Sequence, residues 1–136
     1  MASILRFEEI ISWKEARILN GTIGKLIDNN RLDRNYRLIS QIEGSSGSIM
    51  DNIAEGFERG GNREFIQFLY IAKGSSGELR SQLYRALDRH YINQNEFDEL
   101  SIHSMKISNM IQSFIGYLES SDLKGVKYKN RNTPTS

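Results

Sequence analysis

Apolar residues recur at helical spacing on both sides of the dipeptide Gly60-Gly61. Before it, spacings of three and four residues separate Ile39, Ile42, Ser46, Ile49, Ile53 and Phe57. After it, the same spacings connect Phe65, Leu69, Ala72, Ser76, Leu79, Leu83 and Ala86. A Gly-Gly pair ends one helix and makes a turn, so the two amphipathic helices fold back on each other. Folding about the pair puts Ile49 beside Ala72 and predicts an antiparallel helical hairpin.

Two further amphipathic segments flank this hairpin. The first has an apolar stripe that includes Ile10 and Trp13, and the last alternates spacings of three and four from Phe97 to Leu118. These patterns predict helices near residues 8–28, 35–58, 62–90 and 95–120. Four helices with short connections give an all-α fold, an up-down-up-down antiparallel four-helix bundle. The apolar period stops near residue 120, so we expect a bundle domain over 1–120 and a flexible basic tail over 121–136.

The string Gly-Ser-Ser-Gly occurs at 44–47 and again at 74–77, and the mirror fold sets the two copies opposite each other. Such a string is also a common flexible linker. The apolar register continues through both copies without a slip, which favours a helix. A glycine inside a helix costs about 1 kcal/mol relative to alanine, so each one needs a reason. We interpret these glycines as positions that another helix or subunit approaches closely.

A second apolar stripe lies on the third helix, about 80–140° away from its core seam. A helix that is apolar on two sides lies deep in one domain or at an interface. Because a four-helix body buries only one side of each helix well, we expect a homo-oligomer. The predicted interface residues are Ile66, Tyr70, Gly77, Tyr84 and Tyr91 on this stripe, with Tyr36, Gly47 and Ala54 from the second helix.

Composition limits the class of protein. The 136 residues carry a net charge of +1, contain no cysteine and include no run of 18 apolar residues. These features argue against a disulfide framework and a membrane partner, and they favour a cytoplasmic location. Residues 121–136 hold four basic residues and one acidic residue, a net charge of +3 against −2 for the rest. This asymmetry is small, and a basic terminus is usually a solvated end.

No constellation of side chains predicts an enzyme. A di-iron site in a bundle requires Glu-x-x-His pairs, whereas a leucine stands three residues before both His90 and His103. Acidic residues of the hairpin lie within helical reach of a basic residue, as Glu55 does of Arg59, so ion pairs are the better interpretation. We expect no metal, no cofactor and no small-molecule substrate.

The run SIMDNIAEGFER at 48–59 resembles the signature of a bacterial four-helix bundle protein family. That family was first noticed as open reading frames in intervening sequences of 23S rRNA genes. EFIQFL at 64–69, AKGSSGEL at 72–79 and WKEA at 13–16 extend the resemblance over roughly residues 7–120. It implies a four-helix bundle, ring-like homo-oligomers such as a pentamer, and no known catalytic activity. The family is similar in fold to accessory proteins of diversity-generating retroelements, which bind nucleic acid.

Two groups of residues are candidates for a role near the hairpin turn. Asn52, Glu55 and Glu78 match positions of the family signature, and we interpret them as a structural hydrogen-bonded network. Arg59 and Arg63 flank the glycine turn and are freer to meet a ligand. The predicted nucleic-acid-binding residues are these two arginines together with Lys124, Lys127, Lys129 and Arg131 of the tail.

The leading hypothesis is a non-enzymatic homo-oligomer that binds RNA or DNA through phosphate contacts on one face of a ring. The near-zero net charge and the lack of a recognition-helix or aromatic-platform pattern oppose it. The alternative is a protein-interaction or scaffold module without nucleic acid. The sequence leaves open the nucleotide preference, the copy number of the ring and the cellular process.

Overall fold

The computed structural model describes the backbone of residues 3–132 and the side chains of residues 3–121. Its four helices are α1 (Ile11–Asp28), α2 (Tyr36–Glu58), α3 (Asn62–Asp88) and α4 (Gln94–Asn132). A short 3-10 turn, Phe7–Glu9, precedes α1, and the described backbone contains no strand. The predicted all-α four-helix bundle is confirmed, and the six inner helix ends lie within two residues of the predicted ones.

The two outer helix ends differ from the predicted bounds. α1 begins at Ile11 because Ile10 has an extended backbone, with φ −75° and ψ 122°, that separates the 3-10 turn from the helix. α4 continues to Asn132, past the expected end near residue 120. The apolar period stops there, but no proline interrupts the helical hydrogen bonds before residue 134. The side chains after Ser121 lie outside the described residues, so the basic tail stays a prediction.

The α2–α3 turn is tight because a glycine follows α2. Arg59 ends α2 in a helical conformation, Gly60 follows with φ 87°, and Gly61 caps α3 with an extended backbone. A positive φ strains residues that carry a Cβ, which is why glycine commonly follows the end of a helix. The chain therefore reverses direction within these three residues.

The four helices do not pack equally against one another. Of the four adjacent pairs, α2 and α3 share the most extensive contact and α1 and α4 the least extensive one. The core between them is aliphatic, and Ile49, Ala72, Leu79, Ile107 and Ile111 are fully buried. The weak α1–α4 contact leaves one side of the bundle less closed than the others.

Contacts between α2 and α3 agree with a fold about Gly60-Gly61. Near the turn, Gly56 lies against Phe65, its mirror position. Farther along, the Ser48 and Ser75 hydroxyls share a hydrogen bond of 2.8 Å, two positions beyond the mirror partner of Ser48. Helical side chains lean toward the N-terminus of their own helix, so contacts between antiparallel helices shift by about one position on each. Farther from the turn, Ser45 hydrogen-bonds to Gln82, six positions beyond its mirror partner, so the exact pairing of Ile49 with Ala72 stays a prediction.

A layer of hydroxyl groups crosses the middle of the bundle. The four serines of the two Gly-Ser-Ser-Gly strings are buried, and each is hydrogen-bonded. Ser46 donates to Asn20 of α1 at 2.8 Å, and Ser76 shares a 2.7 Å hydrogen bond with Ser104 of α4. Both strings lie inside continuous helices, so the helical interpretation is confirmed.

Candidate nucleic-acid interface

Arg59 is held in place at the α2–α3 turn. Its guanidinium donates to the Glu55 carboxylate at 2.7 Å and lies 5.0 Å from the centre of the Phe68 ring. The hydrogen bond and the charge of Glu55 raise the pKa of Arg59 above its usual value. About half of each side chain in the pair is exposed, so the ion pair contributes little to stability. The contacts orient the guanidinium and leave part of it open to a ligand.

Arg63 lies in the first turn of α3 and is exposed. Within the described residues it forms no ion pair, unlike Arg59. The N-cap of α3, Gly61, provides no side-chain hydrogen bond to the first backbone amides. Unpaired amides and the helix dipole give this end a partial positive charge that favours anions. The Glu64 carboxylate of the same turn lies near Gly61, so Arg63 adds its charge to a helix end that an anion of the chain itself already partly neutralises.

A cleft of about 380 Å³ lies at the α2–α3 turn, and neither Arg59 nor Arg63 lines it. Gly60, Gly61 and Asn62 of the turn line it together with Leu118 and Ser121 of α4. α4 therefore passes the α2–α3 turn at Ser121, immediately before the predicted basic tail. The cations of that tail, Lys124, Lys127, Lys129 and Arg131, have side chains outside the described residues.

An aromatic cluster beside the cleft joins α2, α3 and α4. Phe57 and Phe65 pack edge to face with ring centres 6.0 Å apart, and Phe65 and Phe114 do so at 5.3 Å. Tyr117 extends the cluster, 6.4 Å from Phe114, and is 46% exposed. Sequence reasoning missed this cluster because its members occupy core positions on three separate helices. Tyr117 is the most exposed member of the cluster, and exposed aromatic rings are the side chains on which bases stack.

The predicted structural network is present in part. Asn52 donates to the backbone oxygen and the hydroxyl of Ser48, each at 2.8 Å, and Ser48 continues the chain of hydrogen bonds to Ser75 of α3. Glu55 forms an ion pair with Arg59 at the turn, separate from the hydrogen bonds of Asn52. Glu78 lies outside the network because its exposed side chain forms no hydrogen bond or ion pair within the described residues.

The predicted interface residues differ in exposure. Tyr36, Tyr70 and Tyr84 are 72%, 48% and 56% exposed, whereas Gly47, Ala54, Ile66 and Gly77 are half-buried. We call Ile66, Tyr70, Gly77 and Tyr84 the α3 stripe. The placement of Tyr91 on that stripe was wrong, because α3 ends at Asp88 and the Tyr91 hydroxyl accepts a hydrogen bond from Asn35 at 3.2 Å.

A large apolar surface depression lies between α1 and α4 and was not predicted. This α1–α4 groove encloses about 830 Å³ and is lined mainly by Ile4, Ile10, Ile11, Ser12, Ile102, Met105, Met110 and Phe114. Ile11 and Ile102 are 62% and 69% exposed. The sequence signal for this groove was a set of apolar residues that lie off the core seams of α1 and α4. The signal was not sufficient, because the sequence does not show that the two helices pack weakly against each other.

The histidines form no recognisable metal site. His103 Nε2 lies 2.7 Å from Glu15 of α1, so its partner is on another helix rather than at Glu99, one turn away. Among the described residues, no group of three or more histidine, cysteine or acidic side chains could hold a metal ion. None of the described helices is long and apolar enough to cross a membrane.

Comparison with known proteins gives a family and a fold. A profile of the family described as 23S rRNA-intervening sequence protein matches residues 8–113. A solved structure of a protein with unknown function, from the S23 ribosomal protein family of Bacteroides thetaiotaomicron VPI-5482, is similar with a TM-score of 0.70 and 22% identity. The similarity covers 77% of this chain and 98% of that chain and shows the fold alone. A comparison with curated proteins finds no match.

Proposed function

Because the chain belongs to the 23S rRNA-intervening sequence protein family, we propose that it is a non-enzymatic homo-oligomer that binds nucleic acid through phosphate contacts. The observation that carries the proposal is the grouping of Arg59 and Arg63 at the end of the bundle where α4 reaches Ser121. The basic tail follows from that same end. Because the family name refers to 23S rRNA, ribosomal RNA is the first ligand to test. The proposed location of the protein is the cytoplasm.

Oligomerisation compensates for the low charge of one chain. Two arginines and four tail cations bind phosphate weakly at physiological salt, because each contact contributes little and salt screens it. In a ring whose protomers point the same way, the basic ends gather on one face and their fields add. Multivalent contact then raises weak single-chain affinity by about 10²–10⁴-fold. The exposed Tyr70 and Tyr84 support such an assembly, with a pentamer as the expected form.

A scaffold that binds only protein is the second candidate function. The α1–α4 groove supports it, because exposed apolar surface of this kind commonly marks a protein contact. The net charge of +1 also gives no general attraction to nucleic acid. Nucleic acid that copurifies with the protein and leaves at high salt would favour the first candidate.

Reversing the charge of both arginines, Arg59→Glu with Arg63→Glu, is expected to lower affinity for a ribosomal RNA fragment by about tenfold or more. The double variant loses two cations and places two anions beside the ligand in every protomer. Fluorescence anisotropy at constant salt measures the change. RNA fragments of another sequence and DNA of equal length test the nucleotide preference.

The matched control is Lys25→Glu with Arg37→Glu. Both residues are exposed and lie at the opposite end of the bundle, and the net charge changes by the same amount. The control should bind RNA more tightly than the Arg59/Arg63 double variant. Equal losses in both would mean that only net charge matters, and wild-type affinity in the Arg59/Arg63 variant would move the site elsewhere.

A further inference from the structure

The cleft at the α2–α3 turn has an uncharged lining of aromatic and polar groups. Its volume of about 380 Å³ lies in the range of pockets that hold small ligands. None of the described residues that line it is charged. The aromatic and polar side chains of the lining are Phe57, Phe65, Phe114, Tyr117, Asn62, Ser3 and Ser121. Such a lining suits a flat, uncharged group better than a phosphate or a metal ion.

The aromatic wall of the cleft is held by the core of the bundle. Tyr117 is 46% exposed and lies with its ring plane tilted by 30° to that of Phe114, 6.4 Å between the ring centres. Phe114 packs edge to face on Phe65 of α3 at 5.3 Å. Because these contacts join two helices, the ring of Tyr117 belongs to a rigid surface. Bases of single-stranded nucleic acid stack on aromatic side chains of this kind.

Asn62 supplies the cleft with a group that can recognise the edge of a base. Its side chain is half-buried and forms no hydrogen bond within the described residues. An asparagine amide carries a donor and an acceptor side by side, the pair that matches adenine in nucleic-acid recognition. The cleft therefore combines a stacking surface with a hydrogen-bonding group, the two features by which proteins bind an unstacked base.

The two arginines of the turn supply the positive charge that the cleft lacks. Arg59 and Arg63 directly flank the three cleft residues Gly60, Gly61 and Asn62, and consecutive Cα atoms are about 3.8 Å apart. Arg63 is exposed and forms no ion pair among the described residues. A nucleotide whose base enters the cleft has its phosphate within reach of Arg63.

We propose that the cleft binds one unstacked base of a single-stranded nucleic acid, with Tyr117 stacking on the base and Asn62 hydrogen-bonded to its edge. Arg59 and Arg63 hold the adjacent phosphates. The base site rests on the proposed nucleic-acid binding and specifies its ligand as a single strand. The bases of a duplex are paired and stacked, and taking one out of the stack costs free energy.

Tyr117→Leu tests the base site, because leucine keeps apolar bulk and removes the ring. The variant is expected to bind an unstructured single-stranded RNA about five- to hundredfold more weakly than the wild type, the usual contribution of one stacked base. Its affinity for a duplex RNA of the same length should not change. The slope of log K against log salt should also stay the same, because that slope counts phosphate contacts. Fluorescence anisotropy over a salt series measures both quantities.

Tyr117→Phe is the matched control, since it keeps the ring and should bind both RNAs as the wild type does. Asn62→Ala is a second probe, expected to weaken single-strand binding about two- to tenfold and to leave duplex binding unchanged. Circular dichroism checks that each variant is folded.

The outcomes separate the base site from the proposed function. If Tyr117→Leu and Asn62→Ala both keep wild-type affinity for the single strand, or lose as much affinity for the duplex, the base site is overturned and phosphate binding stands. A wild-type chain that binds neither RNA at low salt overturns the proposed function, and the base site with it.

Discussion

Replacing Gly56 with alanine is expected to lower the free energy of unfolding by about 1–3 kcal/mol, the usual cost of overpacking. A Cβ at this position would lie 2.6 Å from the Cβ of Phe68 and 3.0 Å from Cδ1 of Phe65. The Cβ of Phe68 is fixed to the α3 backbone, so the two helices have to separate. Alanine favours a helix over glycine by about 1 kcal/mol, which offsets only part of the loss. Urea unfolding followed by circular dichroism measures the change.

Gly21→Ala is the control for this comparison. Gly21 lies in α1, is exposed, and has nothing within 4 Å of a Cβ. The same substitution there should raise stability by up to about 1 kcal/mol through helix propensity alone. If Gly56→Ala were as stable as Gly21→Ala, then α2 and α3 would not approach as closely beside the turn as the structure has them.

Gly77→Leu is expected to lower nucleic-acid affinity about a hundredfold or more, although both arginines at the turn stay intact. The leucine projects from the α3 stripe, prevents close approach of a neighbour and removes the multivalent part of binding. Within its own protomer the new Cβ meets only the flexible Arg80 side chain, so the fold should survive. Light scattering and RNA binding are measured on the same preparation, which shows whether the oligomer and the affinity are lost together.

The control is Gly21→Leu, the same change on an exposed helix position away from the stripe. It should keep both the oligomeric mass and the affinity of the wild type. Two results would count against a gathered binding face: a Gly77→Leu monomer that binds RNA as tightly as the wild type, or an intact oligomer that has lost binding.

The fold was largely predictable because its pattern is local and repeated. The spacing of apolar residues around Gly60-Gly61 predicts the α2–α3 hairpin, and the glycine conformation at the turn follows from the same pair. The apolar spacing continues through the buried serines of both Gly-Ser-Ser-Gly strings. A flexible linker would not preserve that spacing, so it indicates a helix. The end of α4 was less predictable, since the loss of an apolar face does not itself end a helix.

The candidate site was predictable only in part, because it depends on contacts between distant segments. Arg59 and Arg63 follow from their places beside the turn, but the ring of Phe68 under Arg59 does not. The α1–α4 groove depends on how weakly α1 packs against α4, a property of the whole bundle. Tyr91 was misplaced because α3 ends before it.

The dependence of RNA affinity on salt is the most direct test of whether the basic ends of the protomers lie together on one face of a ring. Four phosphate contacts from one tail would give a slope of log K against log salt of about −3 to −4, at about −0.7 to −0.9 per contact. A ring predicts a steeper slope for the full chain and a shallower one for a chain that ends at Ser121, with the oligomer unchanged. No RNA binding at low salt, or the same slope for both chains, would contradict the proposed binding face.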